Sequence, residues 1–268
     1  MPRWALLLIL LAPLVAWGEQ LSCATQASEG CEASVSRMPT LSLVMDDLGQ
    51  SPARDRRVLA LPGPVTLAIL PDTPQSAELA RQARKAGKTV MLHMPMAPAG
   101  GPYAWQPGMA KTELLDRLDR ALARVPQASG VNNHMGSQMT EREQPMATLM
   151  AELQQRHLFF LDSRTSSATV AAASAQRVGL ASLSRDIFLD DDPSPDAVAA
   201  QFRAAVKLAR EQGSVVIIGH PHSSTLSVLE RELPRLKDQG IEWIEIRQMI
   251  ATRGNRAMLA HGKRGIYR

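Results

Sequence analysis

Short apolar runs alternate with segments of helical spacing along most of this chain, and this alternation limits its fold more than any other feature. Runs with strand-like composition lie near residues 41–46, 65–70, 88–93, 129–134, 157–161, 178–183, 214–219 and 241–246. Segments such as the apolar stripe through Leu114, Leu118 and Val125 separate them. Strands that alternate with helices predict right-handed βαβ units, in which helices cover a parallel sheet. We therefore predict an α/β protein.

Two arrangements of such a sheet are compatible with this pattern. Seven or eight βα units close naturally into a barrel, and an open doubly wound sheet is the alternative. The segment after the first run, "MDDLGQS", contains no glycine-rich phosphate loop, which disfavours a dinucleotide-binding sheet. An α/β barrel uses about 250 residues, so we expect residues 39–252 to form one barrel domain.

The first 18 residues have the pattern of a secretory signal peptide. Arg3 precedes an almost wholly apolar stretch, residues 5–16, and small residues follow at Ala16 and Gly18. The stretch is shorter than the roughly 20 residues of a spanning helix, so an uncleaved membrane anchor is the less favoured alternative. No later stretch is long enough to span a bilayer. We predict an exported protein, periplasmic or secreted.

Two segments are predicted to lie outside the barrel domain: a disordered linker at residues 19–38 and a basic flexible tail at 253–268. Cys23 and Cys31, the only cysteines, both lie in the linker, where an oxidising compartment would allow them to pair. The net charge is +4, and the basic residues are scattered along the chain with no aromatic residues among them. That distribution argues against a nucleic-acid partner.

Polar side chains suited to metal binding or acid–base chemistry stand where several apolar runs end. They are Asp46, Asp47, His93, His134, Asp162 and His220. In parallel α/β architectures the active site forms at the carboxyl ends of the strands. Because these residues come from five different runs, we expect them to converge on one face of the barrel.

Such a cluster has a well-defined chemistry. A carboxylate with two neutral imidazoles commonly binds a divalent metal ion that keeps one coordination position open. The ion lowers the pKa of bound water and polarises a carbonyl, while a second carboxylate takes a proton and another imidazole protonates a leaving group. Taken singly, the residues have simpler interpretations: a helix cap for the paired aspartates, a structural role for His93 or His134, and a rigid turn for "HPH".

Other residues of these types are interpreted structurally. His157 begins its run and would lie at the opposite end of a barrel. Asp190–Asp192 is interpreted as a solvated loop and helix start. The methionines near the strand ends, Met135 among them, are attributed to packing.

Six segments resemble one known family. They are "LVMDDLGQS", "VTLAILPDTPQSAELARQARKAGKTVMLHMPMAP", "GVNNHMGSQMT", "FFLDSRT", "FLDDD" and "IGHPH". In unbroken order over residues 39–250, they are similar to the divergent polysaccharide deacetylase family, a branch of the NodB-like carbohydrate esterases. The resemblance implies an exported bacterial protein with an irregular (β/α) barrel of seven to eight parallel strands, of the glycoside hydrolase–deacetylase type.

The family's motifs imply roles for individual residues. In ordinary polysaccharide deacetylases the first Asp of the pair is the general base and the second binds zinc, which implies Asp46 as base and Asp47 as ligand. His93 would be a further ligand and His220 the general acid. Three more residues are expected to orient these groups or to contact substrate: Asp162, His222 and Asn133.

The chain departs from the family pattern at two places. Ala97 stands four residues after His93, where ordinary members have another histidine ligand. The arginine-containing motif after the fourth strand is missing, and "NNHMGS" stands in its place. Because neighbouring strand ends face one another in a barrel, we infer that His134 replaces the lost ligand and that zinc or a similar divalent ion is bound.

The leading hypothesis is a metal-dependent hydrolase that removes acyl groups from N-acetylated glycan, a carbohydrate polymer or oligosaccharide. The alternative is a catalytically degraded barrel that binds glycan or an envelope partner. A hydrolase of another bond, such as a phosphoester, ranks third because no phosphate cradle is evident. Sugar rings usually stack on exposed aromatics, and Tyr103 and Trp105 in loop 98–108 are the candidate platforms, although a plain surface excursion of that loop is equally compatible.

Overall fold

Strands and helices alternate over residues 38–254, which together with Met1 are the part of the chain that the computed structural model describes. The strands are β1 (Thr40–Leu48), β2 (Thr66–Ile69), β3 (Thr89–Met96), β4 (Gly130–Met135), β5 (Phe159–Asp162), β6 (Ser182–Ser184), β7 (Ile187–Phe188), β8 (Ser214–Gly219) and β9 (Glu242–Trp243). The helices are α1 (Pro52–Ala60), α2 (Ser76–Lys85), α3 (Lys111–Arg124), α4 (Glu143–Gln155), α5 (Ala171–Arg177), α6 (Pro195–Gln212) and α7 (Ser223–Glu232), followed by a 3-10 turn (Leu233–Arg235) and a helical segment at 246–254.

Eight of these strands form one continuous parallel sheet. Their order is β6-β5-β4-β3-β2-β1-β8-β7, and β9 pairs with β1 beside this path. Each crossover helix returns the chain to the same end of the sheet, so that successive strands add side by side with the same direction. All the carboxyl ends therefore lie along one rim.

The segment that carries β6 and β7 joins the two ends of the sheet. Ser182–Ser184 pairs with β5, and Ile187–Phe188 pairs with β8. Between them, Arg185 N donates to Asp162 O of β5, while Asp186 N donates to Val216 O of β8. One interrupted strand thus lies between β5 and β8, and this seam makes the curled sheet an irregular barrel. The predicted irregular barrel of seven to eight parallel strands is confirmed.

Apolar side chains cover both faces of the strands, as a parallel sheet covered by helices requires. All eight residues of β3 are buried, including the polar Thr89 and His93. The helices each contribute one apolar face, which in α3 consists of Leu114, Leu118 and Ala121. The helical stripe seen in the sequence is therefore the face that packs on the sheet.

Proline marks the start of two helices, and glycine marks the end of one. α1 and α6 begin at Pro52 and Pro195, because the fixed φ and missing N–H of proline fit a first helical position. α6 stops at Gly213, whose φ of 77° glycine adopts without steric penalty. α2 begins at Ser76, two residues after Pro74.

Two apolar runs form less strand than expected. The run at 178–183 yields only β6, because its first part closes α5: Leu180 N donates to Ala175 O. The run at 241–246 yields only β9, and the chain turns into a helical segment from residue 246. Apolar composition alone does not distinguish a strand from a segment that follows a helix and packs into the core without forming a strand.

The predictions for both termini concern residues that the structure does not describe. The signal peptide at 1–18, the linker at 19–38 with Cys23 and Cys31, and the tail at 253–268 lie wholly or largely outside residues 38–254, so they stay predictions. Within the described residues, no helix combines the length and the apolar composition that crossing a bilayer requires.

Removing the Asp186 side chain tests the seam between β6 and β7. Asp186 Oδ2 accepts a hydrogen bond of 2.7 Å from Val216 N and pairs with Arg253. Asp186→Ala leaves a strand N–H of β8 without its acceptor, so the free energy of unfolding should fall by about 2 kcal/mol. Urea denaturation measures this. The exposed Asp238→Ala is the matched control and should stay within about 0.5 kcal/mol of the parent; equal losses in both variants would contradict the assignment.

Candidate active site

Five of the polar residues singled out at strand ends meet at the carboxyl rim of the barrel. Asp46 and Asp47 lie in β1, His93 in β3 and His134 in β4, and His220 directly follows β8. His93 Nε2 lies 3.2 Å from Asp47 Oδ1 and 3.7 Å from Asp46 Oδ2. His220 Nε2 lies 3.9 Å from Asp47 Oδ2. The fold thus brings together groups that are up to 174 residues apart in the sequence.

A local twist of β1 turns both aspartates towards this cluster. Adjacent residues of a regular strand point to opposite faces. Asp47 has a φ of 57°, in the left-handed region that residues other than glycine rarely adopt. The register between β1 and β2 also shifts between Met45 and Leu48. Because of this irregularity, the Asp46 and Asp47 carboxylates both lie within 3.7 Å of His93 Nε2.

The turn after Asp47 is held from two sides. The N–H of Gly49, which has a φ of 101°, donates to Oδ1 of the buried Asp55 at 3.2 Å. A Cβ atom at position 49 would lie 2.5 Å from Thr73 Oγ1. Glycine is therefore required there by both backbone conformation and packing, and the packed turn fixes the direction of the Asp47 side chain.

Three potential ligand atoms converge on one point. Asp47 Oδ1 lies 2.8 Å from His134 Nδ1 and 3.2 Å from His93 Nε2, and the two nitrogens are 3.2 Å apart. Tetrahedral coordination with bonds of about 2.0–2.1 Å separates ligand atoms by about 3.3 Å. Asp47 Oδ1 is buried, and neither of the two nearby nitrogens approaches it with the geometry of a hydrogen bond. Asp47, His93 and His134 therefore fit a divalent cation.

Asn132 determines which nitrogen of His93 faces this point. Asn132 Nδ2 donates to Asp46 Oδ1 at 2.8 Å, which orients the amide so that its oxygen lies 2.8 Å from His93 Nδ1. An amide oxygen only accepts, so neutral His93 carries its proton on Nδ1 and directs the Nε2 lone pair at the cluster. Asn132 is not among the site residues predicted from the sequence. Strand alternation, which places it on the same face as His134, is the signal that could have found it.

The neighbouring Asn133 does not contact these groups. Its Nδ2 donates to Met135 O at 2.7 Å, and its Oδ1 accepts from Ser163 N at 3.0 Å. Consecutive strand residues face opposite sides, so Asn133 points away once Asn132 faces the cluster. The expectation that Asn133 orients the clustered groups is corrected: this side chain is buried and braces the loops after β4 and β5. A contact of Asn133 with substrate stays a prediction.

Burial and neighbouring charges shift the pKa values of Asp46 and Asp47 in opposite directions. Burial opposes ionisation of Asp47, but His134 and His93 outweigh it and hold the pKa of the carboxyl below its usual range. At Asp46 burial dominates and raises the pKa, despite the opposing charges of His93 and His220. Burial likewise opposes the charge on His93, but Asp46 and Asp47 raise its pKa. Two adjacent carboxylates with opposite pKa shifts are suited to different roles.

His220 is oriented by Asp190, whose side chain is fully buried. Asp190 Oδ1 lies 3.0 Å from His220 Nδ1, and Oδ2 accepts hydrogen bonds from His220 N at 2.6 Å and Thr225 Oγ1 at 2.8 Å. Burial lowers the pKa of the imidazole, but Asp190, Asp46 and Asp47 outweigh it and raise that pKa to about 9. The surrounding carboxylates therefore favour the protonated imidazole, whose Nε2 faces Asp47.

The interpretation of Asp190–Asp192 as a solvated loop is wrong for Asp190. Asp191 and Asp192 are exposed, and Asp192 Oδ1 accepts a hydrogen bond of 2.9 Å from Ser194 N at the start of α6. Asp190 is instead buried against His220. The three aspartates are equivalent in the sequence, and only the packing of the chain after β7 against β8 selects one of them.

Asp162 and His222 lie beside the cluster rather than in it. Asp162 is buried, and its two oxygens accept hydrogen bonds from Arg164 N at 2.8 Å and Thr169 Oγ1 at 3.0 Å. The expected contact of Asp162 with an imidazole is therefore corrected: this carboxylate closes its own loop. His222 is exposed at the start of α7, with its ring centre 5.9 Å from that of His220.

Trp105 is not an exposed platform. It is fully buried, and its backbone pairs with the end of β3: Trp105 N donates to Pro95 O, and Ala97 N donates to Trp105 O. The prediction of a sugar-stacking role for Trp105 is therefore wrong. Tyr103 is partly buried, with the Arg120 guanidinium 5.8 Å from its ring centre.

His157 lies at the opposite end of the barrel, as predicted. It is exposed immediately before β5 and lines a cavity of about 370 Å³ with Phe159 and Arg247. This cavity opens at the amino ends of β5 and β6. It contains none of the clustered carboxylates or imidazoles.

Comparison with known proteins identifies the family. Residues 43–250 match the divergent polysaccharide deacetylase family. The uncharacterized protein YibQ of Escherichia coli K12 is 39% identical over 195 residues, which cover 71% of this chain and 61% of that protein. The chain therefore spans less than two thirds of the length of that relative.

Two solved structures show the same fold. An uncharacterized protein of Agrobacterium tumefaciens C58, ATU2773, superposes with a TM-score of 0.76 at 21% identity, covering 81% of this chain and 91% of that one. The peptidoglycan deacetylase PdaC of Bacillus subtilis superposes with a TM-score of 0.53 at 12% identity, covering 85% and 98%. At these identities the likeness concerns the fold alone. The family match extends over most of the sequence, and the chain therefore belongs to the divergent polysaccharide deacetylase family.

Proposed function

We propose that this protein is a metal-dependent deacetylase that removes acyl groups from N-acetylated glycan in the cell envelope, with zinc or a similar divalent ion. The proposal rests on three features that lie together at one rim of the barrel: the cation-binding cluster, Asp46 and His220. His93, in the cation-binding cluster, has its Nε2 3.7 Å from Asp46 Oδ2, and His220 Nε2 lies 3.9 Å from Asp47 Oδ2 on the other side. Family membership supports the substrate class, and the apolar stretch at residues 5–16 supports export.

The chain's own side chains fit the steps of amide hydrolysis. When bound, a divalent cation supplies a Lewis acid that polarises the acyl carbonyl and makes water more acidic. Asp46, whose pKa is raised by burial, accepts the proton of the attacking water. His220 donates its Nε2 proton to the amide nitrogen as the C–N bond breaks and the new C–O bond forms. The products are a carboxylic acid and a free amine on the sugar.

The central test is acetate release from chitin oligosaccharides and from peptidoglycan. We expect the purified protein to release acetate, to lose this activity after chelation, and to regain it when zinc is added. A protein that holds no stoichiometric metal yet binds these glycans would refute the hydrolase proposal. It would favour the alternative of a degraded barrel that binds glycan or an envelope partner.

Loss of one imidazole tests the ligand set. His93→Ala removes a ligand whose Nε2 faces Asp47, so zinc affinity should fall at least about tenfold. Because His93 is buried and its removal leaves a cavity, His134→Ala, at a half-buried position, is the second variant. His157→Ala at the opposite end of the barrel is the control. Elemental analysis and zinc titration give the stoichiometry and affinity; zinc retained at one per chain in the two ligand variants contradicts the assignment.

The pH profile tests the role of Asp190. His220 acts in its protonated form, so kcat/KM should fall as the pH rises through its pKa, which is about 9. Asp190→Asn removes a negative charge that raises this pKa, and the alkaline limb should move to lower pH by about one unit. Asp192→Asn, an exposed neighbour, should leave the limb in place. An unmoved limb in Asp190→Asn would exclude His220 as the acid whose titration sets that limb.

A further inference from the structure

Met135, which directly follows the cluster residue His134, is a large apolar side chain in an exposed position. Its exposed fraction is 48%, so the packing role assigned to it from the sequence is wrong. Within residues 38–254, Met38 and Val178 are the other large hydrophobic residues with comparable exposure. Both lie away from the carboxyl rim, Met38 before β1 and Val178 after α5. Met135 is thus an exposed apolar side chain beside the candidate active site.

The backbone of Met135 is in a conformation that does not favour methionine. Its φ is 52°, in the left-handed region where glycine and asparagine are the less strained residues. Met135 O accepts hydrogen bonds from Asn133 Nδ2 and Thr165 Oγ1, both at 2.7 Å, which hold the turn. Strained residues that the surrounding structure enforces cluster at ligand-binding sites. Neither the strain nor the exposure of this side chain contributes to stability.

Met135 and His134 together line a cavity of about 250 Å³. The rest of the lining comes largely from the loops after β1, β2 and β3, and it includes Gln50, Asp72 and Gly100. Gln50 and Asp72 are exposed side chains that supply hydrogen-bond donors and acceptors. The cavity is smaller than the roughly 300–1,000 Å³ typical of drug-sized sites, which suits one monosaccharide unit.

We infer that this cavity binds one sugar unit of the N-acylated glycan, with Met135 against the C–H face of the ring and Asp72 and Gln50 on its hydroxyl groups. The inference rests on the proposed function for its substrate class. A pyranose ring has an apolar face and a hydroxyl-bearing edge, so its site needs both kinds of surface. Trp105 is buried and cannot supply the apolar side. The flexible, polarisable thioether of Met135 does so.

Met135→Asn separates a binding role from a structural one. Asparagine tolerates the left-handed backbone and removes the apolar surface, so the melting temperature should stay the same or rise. Binding of chitotetraose, a four-unit oligomer of N-acetylglucosamine, should weaken about tenfold, the factor given by about 1.4 kcal/mol of lost apolar contact. His157→Asn is the matched control, because His157 has a φ of 56° at the opposite end of the barrel; it should bind chitotetraose with unchanged affinity.

Methyl NMR of methionine-labelled protein locates the contact. The experiment uses an Asp46→Asn background to block turnover, and the signal that Met135→Asn removes identifies the Met135 methyl group. Titration with chitotetraose should shift this signal and leave that of Met38 unchanged. A Met135 signal that does not move at any chitotetraose concentration, or an unchanged dissociation constant in Met135→Asn, overturns the inference.

Acetate release by the parent protein keeps this inference distinct from the proposed function. Hydrolysis of chitotetraose without a shift of the Met135 signal refutes the sugar cavity and leaves the deacetylase proposal standing. A shifted Met135 signal without acetate release supports the cavity and refutes the hydrolase.

Discussion

The backbone turn at Asp47 is the constraint on which the candidate site depends. In an untwisted strand, Asp46 and Asp47 would face opposite sides of the sheet, and only one of them could approach His93. The left-handed conformation of Asp47 costs on the order of 1–3 kcal/mol. It persists because the turn that follows is held by the hydrogen bond from Gly49 N to Asp55 and by the packing of Gly49 on Thr73. With this turn in place, one carboxylate contacts both imidazoles of the cluster while its neighbour bonds to Asn132.

A buried polar network then fixes the direction of each group. Buried polar atoms are costly unless they have partners, and Asn132 supplies them for both Asp46 and His93. Asp190 does the same for His220 from the other side of the site. Asp47 Oδ1 differs, because it lies close to two imidazole nitrogens without hydrogen-bond geometry to either. An anionic oxygen in that arrangement is suited to share a cation with the two nitrogens.

Backbone strain is concentrated at the same rim. Of the four non-glycine residues with positive φ in the described part of the chain, three follow or end strands there: Asp47, Met135 and Arg164. Arg164 turns the chain after β5, where Asp162 accepts its N–H. Strand ends at the carboxyl rim are therefore shaped by side-chain hydrogen bonds at the expense of local stability. Such strain is typical of sites where the direction of a side chain matters more than its contribution to folding.

Sequence patterns were sufficient to predict the order of strands and helices and most of the residues that meet at the rim. Periodicity identifies strands, and the strand-end rule then selects Asp46, Asp47, His93, His134 and His220, because the carboxyl ends of parallel strands share one edge. Local patterns did not reveal which of Asn132 and Asn133 faces inward, since a shift of one residue exchanges the two faces of a strand. Nor did they reveal which of three consecutive aspartates would be buried.

These two choices depend on contacts between segments that are distant in the chain. Pairing of Asn132 with His93 across β3 and β4, and packing of the segment after β7 on β8, choose Asn132 and Asp190 from their neighbours. The same long-range contacts bury Trp105 and leave Met135 exposed. Sequence patterns act over a few residues, whereas the environment of a side chain depends on segments that pair across large separations in the chain. The types of residue in the candidate site could therefore be predicted from local sequence patterns, whereas their arrangement in space could not.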